Sequence, residues 1–75
     1  MDTIGGRIRE ARQRKVLSQA ELAQATGMPR PSLTRIENGH TRPRPATIRK
    51  LAAQLDVSPQ WLAFGDAGDS LGQKK

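Results

Sequence analysis

The chain has no cysteine, no tyrosine, one histidine (His40), one tryptophan (Trp61) and one phenylalanine (Phe64). Without cysteine, neither a disulfide framework nor a thiolate metal site is available, and the composition fits a reducing compartment. His40 follows Gly39 with no second histidine or carboxylate cluster beside it, so it is expected to be a plain loop residue rather than a metal ligand or a base. No nucleophile–base pair and no phosphate-binding loop is present. The sequence therefore predicts no enzyme, no metal, no cofactor and no small-molecule substrate. No apolar run approaches the roughly 18 residues of a spanning helix, and Met1 to Arg9 lacks the apolar centre of a signal peptide. A cytoplasmic protein that keeps off membranes is expected.

Acidic residues are also scarce, with seven Asp and Glu against thirteen Lys and Arg and a net charge of +6. Residues 7–50 hold eleven of the basic side chains and only three acids, Glu10, Glu21 and Glu37. Charge alone reports on field and solubility, but a basic excess in a compact domain directs attention to nucleic acid. Seventy-five residues make one small domain, which buries about 60% of the surface its unfolded chain exposes.

Strand-like alternation and internal repeats are absent too, and what remains is helical spacing. Ile4, Ile8 and Ala11 form one stripe of a helix from about Thr3 to Lys15, with Arg7 and Arg14 on an outward face. Ser18-Gln19-Ala20-Glu21 reads as a capping box. It starts a short helix with a narrow inner face of Leu22, Ala23 and Thr26, stopped by Gly27. Leu33 and Ile36 mark a third helix closed by Gly39. Pro29 and Pro31 punctuate its start, because a first-turn N–H has no partner in any case. A residue before proline is pushed toward extended geometry, which predicts Arg30 outside the regular helix or strained in its first turn. Regular helix is expected from Pro31 or Ser32 to Asn38. Pro45 opens a fourth helix with the stripe Ile48, Leu51, Ala52 and Leu55, and Ser58-Pro59 a fifth carrying Trp61, Leu62 and Phe64. Residues 1–65 should form the domain and residues 66–75 a disordered tail.

"SQAELAQATGMPRPSLTRIENG", followed by Pro43 and "TIRKLAAQLDVSPQWL", resembles the lambda-repressor and Cro type of helix-turn-helix domain. The resemblance covers roughly residues 4–65 and implies an all-α, compact five-helix bundle whose third helix lies in the major groove of double-stranded DNA. By helical phase, Leu33, Ile36 and Glu37 share one side of that helix, and Pro31, Thr34, Arg35 and Asn38 the other. Base reading is then expected from Arg30, Pro31, Thr34 and Arg35: arginine offers a forked donor pair to guanine, and threonine a hydroxyl and a methyl. Pro31 departs from the family, which often places a hydrogen-bonding side chain there. Phosphate anchoring is expected from Gln19 at a helix N-terminus and from Asn38, Arg42, Arg44 and Arg12. Arg44 stands where the family more often has a capping serine, a cap worth about 1 kcal/mol.

Glu37 leans toward the core, and so does Arg12, beside the Ile8 stripe of the first helix. The two are expected to form a partly buried ion pair, which members of the family also show. Trp61 is expected in the core, and Trp61 and Phe64 are also candidates for a two-fold contact. What the resemblance implies is a transcriptional regulator, by default a repressor, acting as a homodimer on a palindromic operator and nucleoid-associated when bound. With one small domain, regulation by concentration is expected, as in Cro-like repressors and controller proteins. Contact with RNA polymerase through Glu10 or Glu21 would make it an activator. The alternative is an antitoxin that binds DNA and also a toxin partner.

Overall fold

A computed structural model describes residues 3–65, and the expectation for the tail, residues 66–75, lies outside them. Five helices follow one another: α1 (Ile4–Arg14), α2 (Gln19–Thr26), α3 (Arg30–Glu37), α4 (Pro45–Leu55) and α5 (Pro59–Phe64). No strand occurs among the described residues.

Local chemistry sets most of the boundaries. Thr3 Oγ1 accepts from the Gly6 amide at 3.0 Å and so begins α1. At α2 the Ser18 hydroxyl accepts from the Glu21 amide (3.0 Å) while the Glu21 carboxylate accepts from the Ser18 amide (2.8 Å). Two amides that the helix leaves open are thereby satisfied. Gly27 ends α2 in the left-handed region, at φ 75°.

Of the two placements open to Arg30, the structure takes the first turn of α3, where it is the first helical residue. The extended step is taken one residue earlier, at Pro29 (φ −64°, ψ 143°), which serves as N-cap. Pro31 then falls at the second helical position, where its missing N–H breaks no bond. α3 stops at Glu37 rather than Asn38, which caps it. α4 starts at Pro45 with Arg44 as an N-cap that makes no side-chain bond, and Ser58 caps α5 by accepting from the Trp61 amide at 2.9 Å.

One shared core is built from Ile8 and Ala11 of α1, Leu22 and Ala23 of α2, Leu33 and Ile36 of α3, four residues of α4 and Leu62 of α5. Trp61 is not its centre. In a helix of six residues the fully buried position falls on Leu62, and Trp61 packs half-buried against the core's edge. Phe64 is 65% exposed. Arg7 is not on an outward face with Arg14 either. It is buried, and its Nε and Nη2 donate to the carbonyls of Leu62 and Ala63, each at 2.9 Å. The C-terminal carbonyls of a helix have no partners within it, and a guanidinium from α1 supplies them.

The turn after α1 carries a strain the sequence does not advertise. Val16 lies at φ 57° and is 86% exposed. A left-handed conformation costs an L-residue about 1–2 kcal/mol, and a β-branched one finds it hardest. Val16 buries almost nothing in return. Val16→Gly is therefore expected to raise stability by about 1 kcal/mol, once the extra chain entropy of glycine is offset. A urea midpoint that stays put or falls would contradict this.

Candidate nucleic-acid interface

α1, α2 and α3 meet at one carboxylate. The Glu37 side chain is wholly buried at the end of α3. Arg12 of α1 donates to it twice, from Nε to Oε2 at 2.8 Å and from Nη2 to Oε1 at 3.0 Å. Gln19 Nε2, at the first position of α2, donates to Oε1 at 3.0 Å, and Arg9 Nε approaches the same oxygen at 3.4 Å. Burial pushes the Glu37 carboxyl up, but the hydrogen bonds from Arg12 and Gln19, the Arg12 charge and the Arg9 contact together outweigh it and hold the group below its ordinary range. The acid is therefore ionised at neutral pH and fully paired.

Arg12 is a structural residue rather than one free to reach a phosphate. Besides Glu37, its Nη1 donates to the Leu17 carbonyl at 2.9 Å, and only 12% of the side chain is exposed. That bond holds the turn entering α2. Gln19 is committed as well, since its Oε1 accepts from the Thr34 hydroxyl at 2.8 Å. What α2 still presents at its N-terminus is its opening backbone amides. Asn38 is exposed, and its Oδ1 accepts from Arg9 Nη2 at 3.1 Å.

Arg9 and Gly5 are the residues that sequence reading missed. Arg9 lies three positions before Arg12, which places both over the end of α3; that spacing was available as a signal. Gly5 is buried where α1 crosses α3, and a Cβ there would run into the carbonyl oxygens of Ile36 and Glu37, 2.6 Å from the latter. Nothing local in the sequence reports such a contact.

With Glu37 tied inward, the opposite side of α3 faces outward. Arg30, Pro31 and Arg35 are exposed, and Thr34 is half-buried beside Gln19. The guanidinium groups of Arg30 and Arg35 make no ion pair or hydrogen bond among the described residues. Arg42 and Arg44 are likewise exposed and uncommitted, on either side of the buried Pro43. Two exposed cations thus lie on the face of α3 and two on the loop that follows it. Of the exposed acids, Glu10 is engaged with Arg14 at 2.6 Å and Glu21 in the α2 cap. A largely apolar cleft of about 320 Å³ runs between α4 and α5, lined by Pro43, Pro45, Ile48 and Phe64 among others, with Arg42 and Arg49 also on its walls. No group of three metal-ligating side chains occurs among the described residues. No helix among them is long and apolar enough to cross a membrane.

Known proteins resemble this chain in sequence and fold. A family model described as "Helix-turn-helix" matches residues 8–62. The chain is 35% identical over 65 residues to the HTH-type transcriptional repressor RghR of Bacillus subtilis, a match covering 85% of this chain and 48% of that protein. It spans about half the length of the curated relatives it matches. Among solved structures, the restriction-modification controller protein C.AhdI from Aeromonas hydrophila superposes with a TM-score of 0.75 and 39% identity, over 79% of this chain and 89% of that one. The P22 c2 repressor, in complex with synthetic operator 9T, gives 0.83 and 29%, over 88% and 100%. By its five-helix fold and the match across residues 8–62, this chain belongs to the lambda-repressor and Cro type of helix-turn-helix family.

Proposed function

We propose that the chain is a sequence-specific regulator of transcription that binds double-stranded DNA with the outer face of α3 in the major groove. The observation that carries this reading is the pair Arg30 and Arg35, exposed and uncommitted on a helix whose other side is locked to α1 and α2 through Glu37. A rigid helix with free forked donors is what guanine recognition needs. Pro31 can add only apolar contact. Arg42, Arg44 and the first amides of α2 anchor phosphates on either side, with Asn38 adding its free amide protons.

A lone domain of this size offers few base contacts, so two copies on a palindromic operator, with half-sites about one helical turn apart, are the working form. The apolar cleft with Phe64 at its edge is the surface proposed for that two-fold contact. Repression by occlusion fits a surface whose exposed acids Glu10 and Glu21 are already partnered. A cytoplasmic location follows from the same role. Sedimentation of the free chain tests the cleft, since a monomer with and without Phe64 would leave it to a different protein, such as a toxin.

Selection of bound sequences from random or genomic DNA tests the reading as a whole, and enrichment without a shared motif would sink it. On the recovered site, Arg35→Ala is expected to relax preference at one base position, at a cost of about 1–3 kcal/mol. Arg42→Ala should weaken all sequences alike and lower the slope of log affinity against log salt by about one. Identical behaviour of the two variants would contradict the division between reading and anchoring.

A further inference from the structure

We propose that Glu37 and Gln19 are positioning residues that set the chemical sense in which Thr34 reads a base: Thr34 presents acceptor lone pairs and a methyl group, and no proton. The inference rests on the proposed DNA-reading role of α3 and names what one of its positions selects.

An ionised carboxylate only accepts hydrogen bonds, so the Gln19 amide must turn its NH2 toward Glu37 Oε1, 3.0 Å away. Its carbonyl oxygen then faces Thr34 Oγ1 at 2.8 Å. Two oxygens at that distance need a proton between them, and an amide carbonyl has none. Thr34 must supply it. Among the described residues the other partner at hand is the Arg30 carbonyl, 3.2 Å from the same hydroxyl, and it too accepts. Every internal neighbour of Thr34 Oγ1 competes for its single proton, which leaves lone pairs and the methyl for the groove. Amino groups of adenine and cytosine match a lone pair, and the thymine methyl matches a methyl. Guanine offers only N7 and O6 acceptors on its major-groove edge, so it is the base this geometry rejects.

The experiment is selection of randomised duplexes by the full chain, followed by binding to all four bases at the position whose preference changes in Thr34→Ala. In the wild type that position should disfavour guanine on the contacted strand by about three- to tenfold. Gln19→Met keeps the side-chain length and removes both bonds, which leaves the longer contact to the Arg30 carbonyl as the remaining claim on the Thr34 proton, so the disadvantage of guanine should shrink. Thr34→Val should lose any preference for an amino group without recovering guanine. Urea midpoints show that each variant is folded, and the Gln19 side-chain amide in 15N spectra of the free protein reads the bond to Glu37 without DNA. Guanine preferred opposite Thr34, an unchanged profile in folded Gln19→Met, or unprotected Gln19 amide protons would each overturn the proposal. A wild type with protected Gln19 protons and no base preference anywhere would instead remove the DNA-reading role and this selection with it.

Discussion

Glu37→Ala is expected to lower the stability of the domain by about 3–5 kcal/mol, because it leaves the Arg12 guanidinium buried without its counter-charge. Against a total of about 4–11 kcal/mol for a chain of this length, a large part of the population should unfold at modest urea. The loss is a penalty of breaking the pair, and the intact pair need add little by itself. A double replacement, Arg12→Met with Glu37→Leu, should therefore recover much of what Glu37→Ala loses. Urea titration of the three variants decides, and a Glu37→Ala midpoint within error of the wild type would refute the account.

The same carboxylate gives stability a pH dependence whose sign is fixed. Its folded pKa lies below the ordinary 4.5, so the folded state holds this proton less tightly than the unfolded one. The contribution is present in full above that ordinary value and is lost as pH falls through the lower folded one. Glu37→Gln should be less stable at neutral pH and should decline less steeply below about pH 4.5. Parallel acid profiles for the two proteins would mean that other carboxylates carry the effect.

Gly5→Ala should be nearly as damaging, although alanine favours a helix over glycine by about 1 kcal/mol. The added carbon meets the Ile36 and Glu37 carbonyl oxygens, which are backbone atoms at the end of α3 and cannot swing aside. α1 and α3 must separate. A net loss of about 2 kcal/mol or more is expected, which for a domain of this size corresponds to a melting temperature lower by about 8–16 °C. Because Glu37 and Asn38 sit at that crossing, DNA affinity should fall with it. An equal or higher melting temperature would show that the approach is less tight than the geometry states.

These two sites also show where sequence reading stops. The Ser18–Glu21 box, the Pro45 and Ser58-Pro59 starts and the α4 stripe are legible because each depends on residues within one or two turns. The facing of Arg12 and Glu37 is legible by helical phase once two helices are assumed to pack. Gly5 and Arg7 are not, because their roles depend on where distant carbonyls arrive. Arg7 reads as an outward arginine until the end of α5 is placed over it. Two placements stay open for Arg30 because two prolines share the work of one boundary, and the sequence does not say which makes the extended step. Trp61 is harder to place because six residues of helix fix rotational phase poorly. On the outer face of α3, side-chain types were readable, but the direction of the Thr34 proton required Gln19 and Glu37 in their positions.

The bonds from Arg7 to Leu62 and Ala63 cross 55 and 56 residues, and synthesis makes the two ends of that span at different times. At about 5–20 residues per second, the guanidinium leaves the ribosome several seconds ahead of its acceptors. During that interval α1 lacks the two carbonyls to which Arg7 donates in the finished bundle. A chain cut short before Leu62 lacks both of those carbonyls and the buried Leu62 side chain, so the seam between α1 and α5 does not close. The last helix thus acts as a receipt for a finished domain, presented to the first.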